Sequence, residues 1–300
     1  MILLLSFLAL LITAQPAVAQ NCPDVPSGIG AKQKPQNVGR DIIGQSLDDI
    51  VERGWIVVAV YEDYPPYSYS EGGKLKGVDI DVGRLIADEL GVEARFLVRS
   101  ADENVDADLR NNVWRGPVVG GPVANVMLHV PDDRILACRN EQVVLNGAYF
   151  TEKIGIAYNK AKYPDGGPSP AYFRYDLVGV ENDTISDFYL SGLARGQVLP
   201  NVRRYPDYTR AMEELRAGNV PAVMGPIGEL QNGLSDELAI HAPPLPGLAR
   251  DSWPLGVAVR HNWRPLSYAI DDILVTAVSD GKIEEIFEEH GLRYAPPPEF

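Results

Sequence analysis

Residues 55–69 read Trp55-Ile-Val-Val-Ala-Val-Tyr61-Glu-Asp-Tyr64-Pro-Pro-Tyr67-Ser-Tyr69, and residues 76–92 read Lys76-Gly77-Val-Asp79-Ile-Asp81-Val-Gly83-Arg-Leu-Ile-Ala-Asp-Glu-Leu90-Gly91-Val92. The unbroken apolar run 56–60 predicts a buried strand, and the prolines and tyrosines after it predict a turn. Apolar residues at helical spacing predict a helix over 82–90, which Asp81 is placed to cap and Gly91 to end. This order indicates a parallel α/β sheet, and open α/β sheets bind small ligands at the carboxyl ends of their strands.

The rest of the chain continues the alternation of strands and helices. Further strands are predicted at 93–98, 126–129, 142–145, 154–158, 177–180, 222–224 and 256–259. Further helices are predicted at 46–52, 183–193, 208–217, 266–278 and 282–290. Such alternation is typical of an α/β fold with mainly parallel sheets.

Two connectors, near 149–155 and 242–255, divide the chain into an outer, a middle and a second outer segment. We therefore expect two lobes joined by two crossing strands, with a ligand cleft between them that closes by a hinge motion. The predicted boundaries are 45–150 with 255–294 for lobe 1, 151–254 for lobe 2, and 295–300 for a C-terminal tail.

The composition limits the classes of partner. The chain has 300 residues, more than one typical core, and a formal net charge of −14. Nucleic acid and anionic membrane are disfavoured as partners, because phosphate groups need a basic face. The charge suits a soluble protein or one that docks on a basic partner.

The N-terminal region is typical of an exported protein. Residues 1–19 read as a secretory signal peptide that ends in Ala17-Val18-Ala19, and residues 20–44 read as an extended tail. The expected location is the periplasm, without membrane insertion after signal cleavage; the alternative is a retained anchor helix. Cys22 and Cys138 are the two cysteines, and an exported pair predicts a disulfide, with two unpaired thiols as the alternative.

The stretch 60–91 resembles the opening of bacterial extracellular solute-binding proteins of family 3, with its Tyr-Pro-Pro-aromatic turn, Gly-x-Asp-x-Asp and final Leu-Gly. Later stretches carry the resemblance in the same order: Arg139-Asn-Glu-Gln142-Val143 with Tyr149-Phe150, Leu177-Val-Gly179-Val180-Glu-Asn-Asp-Thr184, Leu215-Arg-Ala-Gly218-Asn-Val-Pro-Ala222-Val, Gly256-Val-Ala-Val-Arg260 and Asp280-Gly281-Lys-Ile-Glu-Glu-Ile286. The resemblance implies a two-lobed type II periplasmic-binding-protein fold. It also implies a non-enzymatic receptor that delivers a small solute to an ABC permease.

The chain departs from the amino-acid-binding members of that family. Those members hold the ligand carboxylate with a Thr or Ser and an Arg, and the ligand ammonium with an Asp of the second lobe. Arg139 matches the Arg, but Ile185 replaces a usual hydroxyl and Pro226 replaces the Asp. A buried ammonium without an anion costs several kcal/mol. An ordinary amino acid is therefore a poor candidate for the ligand.

A narrower resemblance involves Trp114-Arg-Gly-Pro-Val-Val-Gly120-Gly121-Pro122-Val-Ala-Asn-Val-Met-Leu128-His129-Val-Pro131-Asp132. This segment is similar to the J proteins associated with periplasmic quinoprotein methanol and alcohol dehydrogenases. It implies an alternative function in the maturation or activation of such a dehydrogenase. The partner would then be the dehydrogenase or its cytochrome c, and the cleft would bind a peptide segment of that partner.

Seven residues are candidates for ligand binding: Tyr64, Tyr67, Glu62, Trp114, Arg139, Thr184 and Ser186. The aromatic residues offer ring faces for stacking, although each could instead pack inside lobe 1. Glu62 would attract a cation, or be a solvated carboxylate of the turn. Arg139 would bind an anion, or pair with Asp132 or Asp133. Thr184 and Ser186 lie at a predicted helix start, which binds anions or merely needs a cap.

Catalysis has no support in the sequence, since no hydrolase, phosphate-loop or metalloprotease motif occurs. The four histidines are scattered without metal-ligand spacing. The acidic segment 102–108 begins like a calcium loop, but Ala107 and Val113 stand where Gly and Glu are needed, so a solvated loop is the better interpretation. We expect no enzyme activity, metal or cofactor.

Overall fold

The computed structural model describes residues 44–298. The helices are α1 Leu47–Arg53, α2 Val78–Glu89, α3 Val105–Leu109, α4 Arg134–Arg139, α5 Ile185–Gly192, α6 Tyr208–Arg216, α7 Ile227–Asn232, α8 Arg264–Ser279 and α9 Lys282–Glu289. The strands are β1 Trp55–Tyr61, β2 Tyr69–Glu71, β3 Lys74–Lys76, β4 Glu93–Arg99, β5 Val126–Pro131, β6 Val143–Asn159, β7 Val178–Glu181, β8 Val202–Tyr205, β9 Ala222–Pro226, β10 Leu238–His241 and β11 Ser252–Arg260. A π-helical turn, Arg110–Trp114, continues α3.

The strands follow the order β4-β1-β5-β11-β6-β9-β7-β8, with β10 paired to β6, and β2 and β3 form a separate hairpin. In the first half, β1 lies parallel to β4 and β5, and β11 runs antiparallel to β5 and β6. In the second half, β7 lies parallel to β8 and β9. The long strand β6 joins the halves, because its residues 143–153 pair with β11 and its residues 154–158 pair with β9.

The buried core residues divide into the same two halves as the strands. One large cluster draws its buried members from 50–150 and 255–292, whereas a second draws its members from 154–245. Trp253, on the strand that returns from the second half, packs against both clusters. Two hydrophobic interiors therefore flank a junction that β6 and β11 cross.

Three local predictions were wrong. Strand β6 is continuous where two strands were expected, because Gly147 adopts a left-handed φ of 60° at a bulge and bends the strand without ending it. Helix α2 begins at Val78, so Asp81 lies inside it rather than capping it. Residues 105–109 form a helix capped by Asn104, not a solvated loop.

Several predictions concern residues outside the described range. The signal peptide 1–19, the tail up to residue 43 and Cys22 lie there, so the signal and the bridge from Cys22 to Cys138 stay predictions. Between residues 44 and 298, every helix is too short or too polar to cross a membrane.

Candidate functional site

The turn after β1 is held in shape by its own backbone. The amide nitrogens of Tyr67 and Ser68 donate to the carbonyl oxygen of Tyr64, and the Ser68 hydroxyl donates to the carbonyl oxygen of Tyr61 at 2.7 Å. The peptide between Pro65 and Pro66 is cis. The rings of Tyr64 and Tyr67 lie 5.3 Å apart, between centroids, beyond the carboxyl end of β1.

His129 joins these two rings. Its imidazole centroid lies 5.1 Å from the ring of Tyr64 and 4.2 Å from the ring of Tyr67. The residue follows the middle of β5 and has a backbone φ of 60°, an uncommon value for a side chain other than glycine. Such backbone strain is concentrated at functional sites in proteins. The sequence placed His129 in the second resemblance but did not identify it as a site residue.

Beneath His129 lies a buried group of polar side chains of the first half. The hydroxyl of Tyr149 donates to Oδ1 of Asp79 at 2.9 Å and accepts from the backbone N–H of His129 at 3.1 Å. Nδ1 of His129 lies 3.2 Å from Oδ2 of Asp79, without the angles of a hydrogen bond. Asp79 is fully buried because α2 starts one residue before it, and its amide donates to the carbonyl of Tyr67.

Glutamate carboxylates from the strand β6 and from the second half meet the two tyrosines. The Tyr67 hydroxyl donates to Oε2 of Glu152, on β6, at 2.6 Å. The Tyr64 hydroxyl donates to Oε1 of Glu229, on α7, at 3.2 Å and lies 3.4 Å from Nε2 of His129. Glu152 is 2% exposed and Glu229 is 8% exposed. The two halves are therefore in direct contact through hydrogen bonds to buried carboxylates.

Helix α7 of the second half approaches the aromatic turn of the first half closely at Gly228. A Cβ atom placed on this glycine would lie 1.9 Å from the Tyr67 hydroxyl oxygen and 3.0 Å from a carboxylate oxygen of Glu152. The amide of Gly228 donates to Oε1 of Glu152 at 3.3 Å. Only a residue without a side chain allows α7 to approach the aromatic turn this closely.

The wall of the second half is built from the ends of β7 and β9. The Tyr208 ring covers Gly225, and its hydroxyl lies 3.3 Å from Oγ1 of Thr184. Thr184 caps α5 and donates its own hydroxyl hydrogen to the carbonyl of Glu181. The Ser186 hydroxyl is buried and makes no well-formed hydrogen bond, and burial raises the pKa of the neighbouring Tyr208 phenol.

Burial and like charge shift the pKa values of the acidic groups. The pKa of Glu229 is well above its usual value because of burial and then because of the carboxylates of Glu181 and Glu152. Burial also raises the pKa of Glu152, despite hydrogen bonds to its carboxylate. Burial, followed by the charge of Asp207, raises the pKa of Glu181 to about 7. Burial raises the pKa values of Tyr64 and Tyr67 in the same way.

A groove of about 440 Å³ lies at the mouth between the halves. One side carries Asp63 and Tyr69, and the other carries Asp207, Arg210 and Glu213. Arg210 is already paired with Glu213 and Glu214. The groove is therefore acidic along its free surface.

The other candidate residues lie away from the tyrosine pair. Glu62 is exposed and accepts a hydrogen bond from the Ser100 hydroxyl at 2.6 Å. Trp114 packs against the outer core cluster of the first half. Arg139 pairs with Asp106 at 3.2 Å, a partner other than the Asp132 or Asp133 considered from sequence. Thus the structure brings Tyr64 and Tyr67 together, and does not bring Trp114 or Arg139 to them.

Sequence reasoning missed the acidic residues of the site. Asp79 belongs to the Gly-x-Asp-x-Asp motif, and its place in the first helical turn was the available signal. Glu229 follows Pro226 by less than one helical turn, at the carboxyl end of β9, where α/β sheets place ligand-binding residues. Glu152 is an isolated acid in an apolar strand, and the sequence gave no indication of which way its side chain points. Among residues 44–298, no cluster of His, Cys, Asp and Glu has the arrangement of a metal site.

Comparison with known proteins fits this architecture. Residues 56–113 match the family described as bacterial extracellular solute-binding proteins, family 3. The chain is 24% identical to the L-cystine-binding protein TcyJ of Escherichia coli strain K12 over 251 residues, which cover 81% of this chain and 85% of TcyJ.

Two solved structures show the same fold. An ancestral cationic amino acid solute-binding protein, AncCDT-1, superposes with a TM-score of 0.65 at 21% identity, covering 81% of this chain and 98% of that one. An amino acid ABC transporter substrate-binding protein from Streptococcus pneumoniae, bound to L-arginine, gives a TM-score of 0.60 at 22% identity, covering 84% and 100%. The predicted two-lobed type II periplasmic-binding-protein fold, with its crossover strands and cleft, is therefore confirmed.

Proposed function

We propose that the chain is a periplasmic solute receptor whose lobes close on a small molecule and whose closed form is recognised by an ABC importer. The observation that carries the proposal is the hydrogen bond from Tyr64 of the first lobe to Glu229 of the second. This hydrogen bond joins the two lobes at the place where the sequence predicts that the ligand binds. The family match over residues 56–113 and the similarity to solute-binding proteins support the same role.

A binding role accounts for the site better than catalysis does. The relatives described above are named as binding proteins. Buried polar groups join the lobes in a network. Asp79 accepts a hydrogen bond from Tyr149, whose hydroxyl accepts from the backbone amide of His129. Nε2 of His129 lies 3.4 Å from the Tyr64 hydroxyl, which donates to Glu229. Such a network specifies one closed arrangement, which is what a transporter must distinguish from the open one.

We further propose that the solute is not an ordinary amino acid, on a different ground from that given by Pro226. Glu229 offers the second-lobe anion that Pro226 lacks, so an ammonium group would have a partner. Among the described residues, the arginine expected to bind the ligand carboxylate is not free to do so, because Arg139 pairs with Asp106. A buried carboxylate without a partner is costly.

A solute screen tests the proposal. The purified chain would be melted with each of the twenty amino acids, a set of amines, sugars and organic acids, while small-angle scattering follows its radius of gyration. A solute at one hundred times its dissociation constant stabilises the folded state by about 2.7 kcal/mol. We expect a raised melting temperature and a compact scattering curve with the same solute. If no small molecule changes either quantity, the receptor function is wrong.

The alternative is an accessory protein for a periplasmic quinoprotein dehydrogenase. The observation that favours it is an exposed apolar turn, in which Val118 is 88% exposed and Val119 is 96% exposed. The turn belongs to the segment 114–132 that resembles the J proteins, and exposed apolar patches often contact other proteins. Neighbouring permease and ATPase genes would favour import, whereas neighbouring dehydrogenase and cytochrome c genes would favour this alternative.

A further inference from the structure

We propose that the site between the lobes takes an organic cation that carries no carboxylate, with Glu229 as its principal anionic partner. The inference rests on the proposed function, because it concerns the ligand of the same cleft. It depends on three features of the described residues: the excess of acidic groups, the aromatic rings that face them, and the lack of a partner for an anion.

The acidic excess is largest where the lobes meet. Asp79, Glu152 and Glu229 are buried there, and Glu181 and Asp207 act on Glu229 from the second lobe. Between residues 44 and 298, no lysine or arginine forms an ion pair with Asp79, Glu152 or Glu229. His129, beside Asp79, is the basic side chain that the structure places among them.

Among the described residues, Glu229 is a buried carboxylate without a basic partner. The charged groups that act on it are carboxylates, and each of them makes its ionised form less favourable. Tyr64 is the donor that the described structure gives it, at 3.2 Å. By contrast, Glu152 accepts from Tyr67 and from two backbone amides. A cation at Glu229 would relieve both the repulsion and the desolvation that burial imposes.

The rings beside Glu229 suit a cation as well. Tyr64 has Tyr61 at 5.9 Å and Tyr67 at 5.3 Å between ring centroids, and Tyr208 lies on the opposite wall. Aromatic faces attract ammonium and guanidinium groups, most strongly where water is excluded. Carboxylates together with several tyrosines are therefore the chemistry of an amine or guanidinium site.

Among the described residues, the arginines considered for a ligand carboxylate already have acidic partners. Arg139 is engaged with Asp106, and Arg210 at the mouth is engaged with Glu213 and Glu214. The N-terminus of α5 is capped by the Thr184 side chain, which occupies the amide of Asp187. A ligand carboxylate would face Glu229 and Glu152 without compensation.

The cation must enter while the lobes are apart. In the closed form the Tyr64 hydroxyl fills the space beside Glu229, and Gly228 leaves no room against Tyr67. We infer that the ligand's ammonium or guanidinium group replaces Tyr64 as the donor to Glu229. Tyr64 then turns its ring face to the ligand as the lobes close.

Matched pairs of probes test the inference. Agmatine and arginine, putrescine and ornithine, and choline and glycine betaine differ within each pair mainly by a carboxylate. We expect calorimetric titration at neutral pH to show, in at least one pair, that the carboxylate-free member binds at least about tenfold more tightly. The Glu229→Gln variant should then lose at least about tenfold in affinity for that member, whereas Glu288→Gln, an exposed acid on α9, should bind like the parent chain.

A folding control and one further variant keep the result interpretable. Circular dichroism melting would show whether Glu229→Gln is folded, and Tyr64→Phe retains the carboxylate and the ring while it removes the competing hydroxyl. Tyr64→Phe should bind the amine more tightly, because the hydroxyl that competes with the ligand for Glu229 is gone. Tighter binding of a carboxylate-bearing member, or no binding of any of the six probes, would overturn the inference. If a neutral or anionic solute closes the lobes instead, the receptor function stands and the cationic ligand is wrong.

Discussion

The hydroxyl of Tyr67 donates a 2.6 Å hydrogen bond to Oε2 of Glu152, and both side chains are buried. The bond ties the aromatic turn after β1 to the strand that crosses between the lobes. If the lobes open as proposed, movement of β6 would therefore be coupled to the aromatic turn.

Replacing Tyr67 by Phe should destabilise the closed protein. Glu152 would keep its backbone donors but lose its closest partner, and loss of one partner to a buried acid costs about 1–3 kcal/mol. Urea unfolding would measure the change. Tyr175→Phe is the matched control, because its ring is 68% exposed, and it should change the free energy of unfolding by less than about 0.5 kcal/mol. Equal effects of the two substitutions would contradict the role given to the bond.

Replacing Gly228 by Ala should hold the lobes apart. The new methyl group would lie 1.9 Å from the Tyr67 hydroxyl oxygen, so the closed form would have to shift. We expect a larger radius of gyration by small-angle scattering and at least about tenfold weaker solute binding. Gly192→Ala has no atom within 4 Å of the added Cβ and serves as the control. A closed scattering curve for Gly228→Ala would show that the contact does not limit closure.

The closed form of the chain should become more stable as the pH falls from about 8 to about 5. The folded-state pKa of Glu181 is raised from 4.5 to about 7 by burial and by Asp207, and the pKa of Glu229 is raised too. The native state thus binds more protons than the unfolded state in this window, and stability falls as the pH rises through it. Since Glu181 is partly exposed, its share is on the order of 1 kcal/mol.

Melting temperatures over that range would measure this effect, and Glu181→Gln should flatten the curve. Below about pH 4 the trend should reverse, because the pKa values of Asp81 and Asp187 are lowered by hydrogen bonds to His290 and Arg204. A melting temperature that rises steadily from pH 5 to pH 8 would contradict the directions of the Glu181 and Glu229 shifts.

The two cysteines should be joined in the exported protein. Titration of thiols under denaturing, non-reducing conditions is expected to find no free group, because an even pair in an oxidising compartment predicts a bridge between Cys22 and Cys138. Two reactive thiols per chain would show that the bridge is not formed.

The sequence predicted the fold well because its signals were local. An apolar run, a turn with two prolines and a helix ended by glycine placed β1, the aromatic turn and α2 near their observed positions. The crossing strand was harder, because Gly147 adopts a left-handed φ within β6 without ending it, and an interior glycine weakens a strand pattern.

The site was only partly predictable from the sequence. Tyr64 and Tyr67 follow a recognisable strand, so their position could be inferred from the pattern. Glu152 and Glu229 reach the same place from a crossing strand and from the second lobe, and their meeting depends on how the lobes close. No local pattern encodes that long-range relation, and Pro226 drew attention away from the acid three residues later.

The most direct test of the central claim is small-angle scattering of the chain with and without the best-binding member of the probe pairs, repeated for Glu229→Gln. The account predicts that the amine converts the parent chain to the compact curve of the closed structure and that the variant needs at least about tenfold more of the amine for the same conversion. Equal conversion of the parent chain and Glu229→Gln at the same concentration would contradict it.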